Sequence, residues 1–332
     1  MVRIAINGFG RIGRNVTKIA LKAKDVEVVA INDLTEPKTL AHLLKYDSIY
    51  GNFDCTVEAV ENGLKINGKI VKVFAERDPE KLPWKDLKID VVAECTGIFT
   101  DYDGAHKHIK AGAKRVLISA PSKGDKPIDK TIVMGVNNKD YDKSKHVIIS
   151  NASCTTNCLA PLVKVLNDEF GIKEGIMTTV HAYTNDQALH DTPHKDLRRA
   201  RAGAVSIVPT TTGAAKAVAE VIPSMKGKLN GIALRVPVIT GSIVDLTCQF
   251  NKPASVEAIN AAMKKAANSG MKGIVQYTED PIVSVDIIRN THSCIFDALS
   301  TMQVGNIFKV LAWYDNEWGY STRMVDVIRM MQ

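Results

Sequence analysis

The first thirty-three residues leave little freedom of fold. Val2-Arg3-Ile4-Ala5-Ile6 is a short, largely apolar run and reads as a strand. Asn7-Gly8-Phe9-Gly10-Arg11-Ile12-Gly13-Arg14 follows at once, then a helical pattern to about Ala23. A second apolar run, residues 26–31, ends on Asn32-Asp33, with Asp33 twenty positions beyond Gly13. A lone G-x-G-x-x-G is weak, and a coincidental glycine-rich turn is the competing reading. Strand, glycine turn, helix, strand and acid in that order describe a dinucleotide site. Gly8 permits the tight turn, Gly10 lets the backbone approach a pyrophosphate, and Gly13 allows close helix–strand packing. Asp33 would accept hydrogen bonds from the adenosine ribose and repel a 2′-phosphate, which favours NAD over NADP.

The parallel pattern continues. Val91-Val92-Ala93-Glu94-Cys95 precedes Thr96-Gly97, Val116-Leu117-Ile118 precedes Ser119, and Val147-Ile148-Ile149 precedes Ser150. Asn62-Gly63 and Asn67-Gly68 lie between β-prone runs, so residues 55–74 are expected to form type I′ hairpins inserted on an otherwise parallel sheet. In such sheets ligands bind outside the carboxyl ends of the strands. Asn7, Asp33, Thr96, Ser119 and Asn151 all fall at such ends.

The stretch Ser150-Asn151-Ala152-Ser153-Cys154-Thr155-Thr156-Asn157-Cys158 sits where a strand gives way to a helical pattern through Leu159, Leu162, Val163 and Leu166. A thiol there faces free backbone N–H groups and the positive end of a helix dipole, which favour thiolate. Cys154 therefore reads as a covalent nucleophile, against the alternative of a buried core cysteine. Pro161 is expected to kink that helix. Cys158 reads as packing, with a stress-induced disulfide to Cys154 as the minority reading.

A chain of 332 residues suggests two domains. No apolar run reaches the length of a membrane span, and the expectation is a cytoplasmic protein without a signal peptide. Six cysteines lack C-x-x-C spacing, so neither a zinc site nor a disulfide framework is suggested. His106 and His108 point to different helix faces, and no metal is expected. A net charge of +7 suits acidic substrates without arguing for nucleic acid. Residues 123–145 read as a charged, solvated connection.

Beyond the Cys154 helix the pattern changes to long alternating runs typical of an antiparallel sheet. Residues 176–180 lead to His181, residues 231–234 lead to Arg235, and residues 242–250 form a long strand. Ser255 opens a helix, residues 309–314 form another strand, and an amphipathic helix ends the chain. Residues 182–206 form a polar loop long enough to be functional or interfacial.

The Cys154 stretch, with Asn7-Gly8-Phe9-Gly10-Arg11-Ile12-Gly13-Arg14 upstream, resembles the phosphorylating glyceraldehyde-3-phosphate dehydrogenases. Further matches are His181-Ala182-Tyr183-Thr184, Leu197-Arg198-Arg199-Ala200-Arg201, Thr210-Thr211-Thr212-Gly213-Ala214-Ala215-Lys216, Arg235-Val236-Pro237 and Trp313-Tyr314-Asp315-Asn316-Glu317-Trp318-Gly319-Tyr320. They span the chain in family order.

The resemblance implies an α/β fold: a Rossmann-type doubly wound sheet plus an α+β catalytic domain with a mostly antiparallel sheet. The first domain would be residues 1–152 completed by a C-terminal helix 319–332, the second residues 153–318 with the loop 182–206. Cys154 would be the nucleophile and His181 its base, paired as ions. Gly8, Gly10, Arg11, Ile12, Gly13, Asp33, Arg77, Thr96, Ser119 and Asn316 would bind NAD, with Asn316 on the nicotinamide carboxamide. Thr184 and Arg235 would take the C3 phosphate of glyceraldehyde 3-phosphate. Ser153, Thr155, Arg201, Thr212 and Gly213 would take inorganic phosphate. For Arg198 and Arg199 a solvated or intersubunit role is preferred, and for His190 and His194 a structural one.

The implied activity is NAD-dependent oxidative phosphorylation in glycolysis, by a homotetramer. A close rival is erythrose-4-phosphate dehydrogenase, which hydrolyses its thioester. RNA binding and redox sensing through Cys154 are conceivable secondary roles. Thr192 before Pro193, together with Cys294 and Leu299, departs from common family residues.

Overall fold

In the computed structural model, which describes residues 1–332, the alternating pattern of the N-terminal half becomes one nine-stranded sheet. Its elements are β1 (Val2–Asn7), α1 (Arg11–Ala20), β2 (Val26–Asn32), α2 (Pro37–Lys45), β3 (Val57–Val60), β4 (Gly63–Ile66), β5 (Lys69–Phe74), β6 (Val91–Glu94), α3 (Tyr102–Lys110), β7 (Arg115–Ile118), β8 (Lys130–Thr131) and β9 (Ile148–Ser150). The strand order is β3-β4-β5-β2-β1-β6-β7-β9-β8.

β1 pairs in parallel with β2 on one side and with β6 on the other. The chain thus builds outward from β1 first one way, then the other. That reversal opens a crevice at the carboxyl ends of β1 and β6, where doubly wound sheets take their ligands. The central strands β1 and β6 are buried on both faces. Ala5, Ala30 and Val92 pack against Trp84, Leu82 and Ile89, while Ile6 faces the opposite way, toward α1. Each fully buried isoleucine here contributes about 1.5–3 kcal/mol, which fixes the register of β1.

The insertion at residues 55–74 is antiparallel, with β4 pairing β3 and β5. Asn67 (φ 48°) and Gly68 (φ 82°) make the expected type I′ turn. The other turn lies one residue earlier than the sequence suggests, because Val60 pairs Gly63 and leaves Glu61-Asn62 as the loop. Gly63 is already in the strand, where a Cβ would come 2.8 Å from the carbonyl of Val71. Residues 123–145 are not merely a solvated connection. They include β8, and Ile132 and Val133 are completely buried.

The rest of the chain supplies α4 (Cys154–Phe170), β10 (Ile172–Ala182), β11 (Val208–Thr211), α5 (Ala214–Val221), β12 (Leu229–Val236), β13 (Ser242–Phe250), α6 (Val256–Asn268), β14 (Val275–Thr278), β15 (Cys294–Val304), β16 (Ile307–Tyr314) and α7 (Trp318–Met330). Its seven-stranded sheet runs β11-β12-β10-β13-β16-β15-β14. Most pairs are antiparallel, but β10–β12 and β14–β15 are parallel. Between β10 and β12 the chain crosses over through α5, and parallel pairing requires such a crossover.

α4 is assigned as one helix through Pro161, although the proline ring deprives the carbonyl of Asn157 of its helical donor. Ser153 caps it, its Oγ accepting from Thr156 N at 3.0 Å, a contact worth about 1 kcal/mol. Ser255 caps α6 in the same way through Ala258 N.

Two compact units result. One comprises residues 1–132, 139–152 and 321–332; the other comprises residues 133–138 and 153–320.

Candidate active site

In the first unit the glycine-rich turn is shaped by close backbone packing. Gly8 has φ 90°, and a Cβ on it would lie 2.7 Å from Thr96 N. A Cβ on Gly13 would lie 2.1 Å from the carbonyl oxygen of Gly8, so α1 can approach β1 only because Gly13 has none. Gly10 is different: nothing lies within 4 Å of where its Cβ would be. α1 therefore presents its first N–H groups beside open space, with no side chain capping them.

Asp33 stands one residue past β2. It accepts from Phe9 N at 2.7 Å through one oxygen and from Thr35 N at 2.9 Å through the other, which ties the acid to the turn. Arg11 reaches Asp47 at 2.9 Å and lies over the Tyr50 ring. Ile12 is half-buried, and Arg77 is exposed beyond β5. Thr96 and Ser119 follow the ends of β6 and β7. The open cradle at Gly10, the uncapped helix end and the anchored acid suit a dinucleotide.

Beneath these ends runs a buried polar chain that the sequence reading did not find. Glu94 accepts from Asn7 Nδ2 at 2.5 Å, from Thr96 N at 2.8 Å and from the hydroxyl of Thr96. His108 Nε2 lies 3.1 Å from Glu94, and His108 Nδ1 accepts from the Trp84 indole N–H at 3.0 Å. Because an indole nitrogen can only donate, the proton of a neutral His108 sits on Nε2 and points at Glu94. The chain holds Asn7 and Thr96 in place. Its only sequence signal was an acid inside an apolar strand.

In the second unit Cys154 is the first residue of α4, and its Sγ lies 3.4 Å from His181 Nε2. The first turn of α4 is tied to the sheet by the buried Tyr314, whose hydroxyl meets Thr155 Oγ1 at 2.9 Å and Thr179 Oγ1 at 2.8 Å. The Tyr314 ring stands edge-on to His181. His181, near the end of β10, is the Cα partner of Arg235 on parallel β12. The two side chains meet, with Arg235 Nη1 2.8 Å from His181 Nδ1. His181 Nδ1 is also 2.6 Å from the carbonyl oxygen of Ala182. It cannot donate to that carbonyl and accept from the guanidinium at once. With its proton on Nδ1, Nε2 is left as an acceptor facing the thiol.

The sequence alone argues for a lowered thiol pKa. The structure adds burial, which pushes the Cys154 thiol up against the opposing pull of Arg235 and its hydrogen-bond partners. Burial, then the Arg235 cation, pulls His181 down to about 3. Either charge made alone is thus disfavoured by burial. Moving the proton from Sγ to Nε2 creates both charges together at contact distance, with the α4 N-terminus behind the sulfur.

The anion-binding candidates divide. Arg235 keeps a buried Nε without a protein partner. Thr184 donates its hydroxyl to Asp186, an acid whose carboxyl is held low by that bond and by Arg235 and Arg199, against burial. Ser153 and Thr155 are at the start of α4, but their hydroxyls are engaged by Thr156 and Tyr314. Thr212 Oγ1 accepts from Ala214 N at 3.2 Å, and Gly213 is the uncapped N-cap of α5, which packs against α4. Arg201 is not brought to this group. It is exposed and pairs with Asp191 at 2.8 Å. Arg199 is the more buried of the two and bridges Asp186 and Asp196. Asn316 is buried, and its Oδ1 accepts from Gly241 N at 3.1 Å and Ser242 Oγ at 3.0 Å.

Fold and site together define a dinucleotide-dependent dehydrogenase whose second unit sets a thiol beside an imidazole. The family models for glyceraldehyde 3-phosphate dehydrogenase match residues 2–102 (the NAD binding domain) and residues 153–316 (the C-terminal domain). The chain belongs to the glyceraldehyde 3-phosphate dehydrogenase family. It is 59% identical over 327 residues to glyceraldehyde-3-phosphate dehydrogenase of Geobacillus stearothermophilus, covering 98% of this chain and 97% of that one. It is 57% identical over 332 residues to glyceraldehyde-3-phosphate dehydrogenase 1 of Bacillus cereus, covering 100% of this chain and 98% of the relative. Against the enzyme of Borreliella burgdorferi the identity is 56%, over 99% of both chains.

Proposed function

We infer that this chain is the glycolytic, NAD-dependent dehydrogenase of glyceraldehyde 3-phosphate, working through Cys154, and that it passes the acyl group to inorganic phosphate. The 3.4 Å approach of Cys154 Sγ to His181 Nε2, at the start of a helix, carries the reading. Full-length relatives at 57–59% identity that bear this name support it, and they do not favour the erythrose-4-phosphate alternative.

Cys154 gives its proton to His181 and adds through sulfur to the aldehyde carbon, and His181 returns that proton to the former carbonyl oxygen, making a hemithioacetal. Gly8, Gly10, Arg11, Ile12, Gly13, Asp33, Arg77, Thr96 and Ser119 would hold NAD and Asn316 would take its carboxamide, and the bound cofactor would supply the two-electron acceptor. His181 takes up the hydroxyl proton as the carbon is oxidised to the thioester. An oxygen of inorganic phosphate then attacks the carbonyl carbon, the C–S bond breaks, and the thiolate of Cys154 leaves. A thioester conserves the energy of aldehyde oxidation where an oxygen ester would hold less.

Arg235 and Thr184 would bind the C3 phosphate, drawing on the unpartnered Nε of Arg235. Ser153, Thr155, Thr212 and Gly213 would offer the attacking phosphate backbone donors at two helix ends, joined by Arg201 once it leaves Asp191.

The division of labour we propose places dinucleotide binding in residues 1–152 with helix 319–332, and chemistry in residues 153–318. Leu189, Leu197, Val205 and Ile207 expose apolar surface on and beside the loop 182–206, which supports self-association, as a homotetramer. No helix is long and apolar enough to cross a membrane; the placement proposed for a glycolytic enzyme is the cytoplasm.

The test is dependence on phosphate. Steady NADH formation from glyceraldehyde 3-phosphate should require added inorganic phosphate. A rate indifferent to phosphate would favour hydrolysis and overturn phosphorolysis.

A further inference from the structure

One buried hydroxyl touches both halves of the second unit's machinery. Ser242, the first residue of β13, is 1% exposed. Its Oγ accepts from Ala182 N at 3.1 Å and donates to Asn316 Oδ1 at 3.0 Å. A hydroxyl has one proton, and here it goes to Asn316, because a backbone N–H can only donate. The same logic fixes the asparagine amide. Gly241 N, 3.1 Å away, must face an oxygen, so the amide cannot be reversed, and Nδ2 is the end left to donate outward. Gly241 has φ 90°, and a Cβ on it would lie 2.6 Å from the carbonyl oxygen of Ser284, so this turn has no room to shift.

On its other side Ser242 clamps Ala182, whose carbonyl oxygen faces His181 Nδ1 at 2.6 Å. Asn316, Ser242, Ala182 and His181 thus form one hydrogen-bonded chain, and all four residues are buried.

We propose that Ser242 is a positioning residue that sets Asn316 with its NH2 outward for a carboxamide carbonyl and sets Ala182 to hold the proton on His181 Nδ1. One side chain then orients both the group that grips the nicotinamide and the base that serves Cys154. Hydrogen bonds to polar groups inside a protein act as networks, so loss of the shared member is felt at both ends. The inference rests on the reading of Asn316 as the carboxamide holder, and the experiment separates the two.

Full-length Ser242→Ala and Asn316→Ala are compared with wild type using NAD and its thionicotinamide analogue, which keeps the NH2 but replaces the carbonyl oxygen with sulfur, a weaker hydrogen-bond acceptor. The rate and pH dependence of Cys154 alkylation by iodoacetate are recorded alongside. Ser242→Ala should lower kcat about 10- to 100-fold, the order expected when a base is misaligned. It should also change the ratio of kcat/KM for the two cofactors at least several-fold and shift the alkylation profile. Ser242→Thr, which keeps the hydroxyl, should restore both. If Ser242→Ala does not fold, Ser242→Cys, of similar size but a weaker donor, is read for the cofactor ratio. An unchanged cofactor ratio in Asn316→Ala would overturn the reading of Asn316. A changed ratio there, with an unchanged ratio and alkylation profile in the Ser242 variant, would overturn the role given to Ser242 alone.

Discussion

Arg235 and His181 are Cα partners in the parallel β10–β12 pair, and the guanidinium lies 2.8 Å from the imidazole. Burial, and after it that cation, keep the imidazole pKa low, and a neutral imidazole is the form that can accept a proton. The arrangement also links substrate to base. An anion that draws Arg235 away removes the charge that most opposes an imidazolium beside the thiolate, so the phosphate of the substrate would itself favour proton transfer.

The first consequence concerns the thiol. His181→Asn removes the acceptor at Nε2 while leaving α4 and its cap intact. Alkylation of Cys154 by iodoacetate at pH 7 should slow by about 10²-fold or more, the usual worth of a positioned base. At pH 10, where hydroxide does the same work, the two rates should converge. Equal rates at pH 7 would remove His181 from its role.

The second concerns stability in acid. His181 is pulled down to about 3 in the folded protein, from an ordinary value of 6.5. As pH falls below 6.5 the unfolded chain takes up a proton that the folded one refuses, so stability declines until about pH 3; above 6.5 the group contributes no slope. The limiting slope for one such group is about 1.4 kcal/mol per pH unit. Urea unfolding at pH 5 and pH 7.5 should show a smaller acid loss for His181→Asn than for wild type. Equal losses would contradict the assignment.

The third concerns cofactor choice. Asp33→Asn keeps one oxygen for Phe9 N, leaves the exposed Thr35 N to water, and removes the charge that repels a 2′-phosphate. The preference for NAD over NADP should narrow by about tenfold or more, equivalent to roughly 1.4 kcal/mol, with the melting temperature little changed. An unaltered ratio would assign the preference elsewhere.

Much of this was legible in the sequence because local rules and tertiary needs agree. Gly8 and Gly13 shape the turn as their spacing requires, Asp33 is tied to that turn, and the strand-to-helix junction puts Cys154 at the first turn of α4. What stayed hidden depends on pairing between distant strands. Nothing local shows that β10 and β12 run parallel, and only that pairing brings Arg235 to His181. The Glu94–His108–Trp84 chain joins three separate elements and has no periodic signature. Ala152 adopts φ 55°, a left-handed conformation that a sequence reader would assign to glycine and that costs about 1–2 kcal/mol. The opposing pulls on the thiol were hidden for a related reason, since a helix end can be read from sequence but the burial of a sulfur cannot.

The account stands on acylation of Cys154. In a single turnover with NAD and glyceraldehyde 3-phosphate but no inorganic phosphate, NADH should form in a burst equal to the number of chains and then stop. Peptide mass spectrometry of the quenched enzyme should find the acyl group on Cys154, and added phosphate should release it. A burst that leaves Cys154 unmodified, or full turnover after that thiol has been carboxymethylated, would contradict the mechanism.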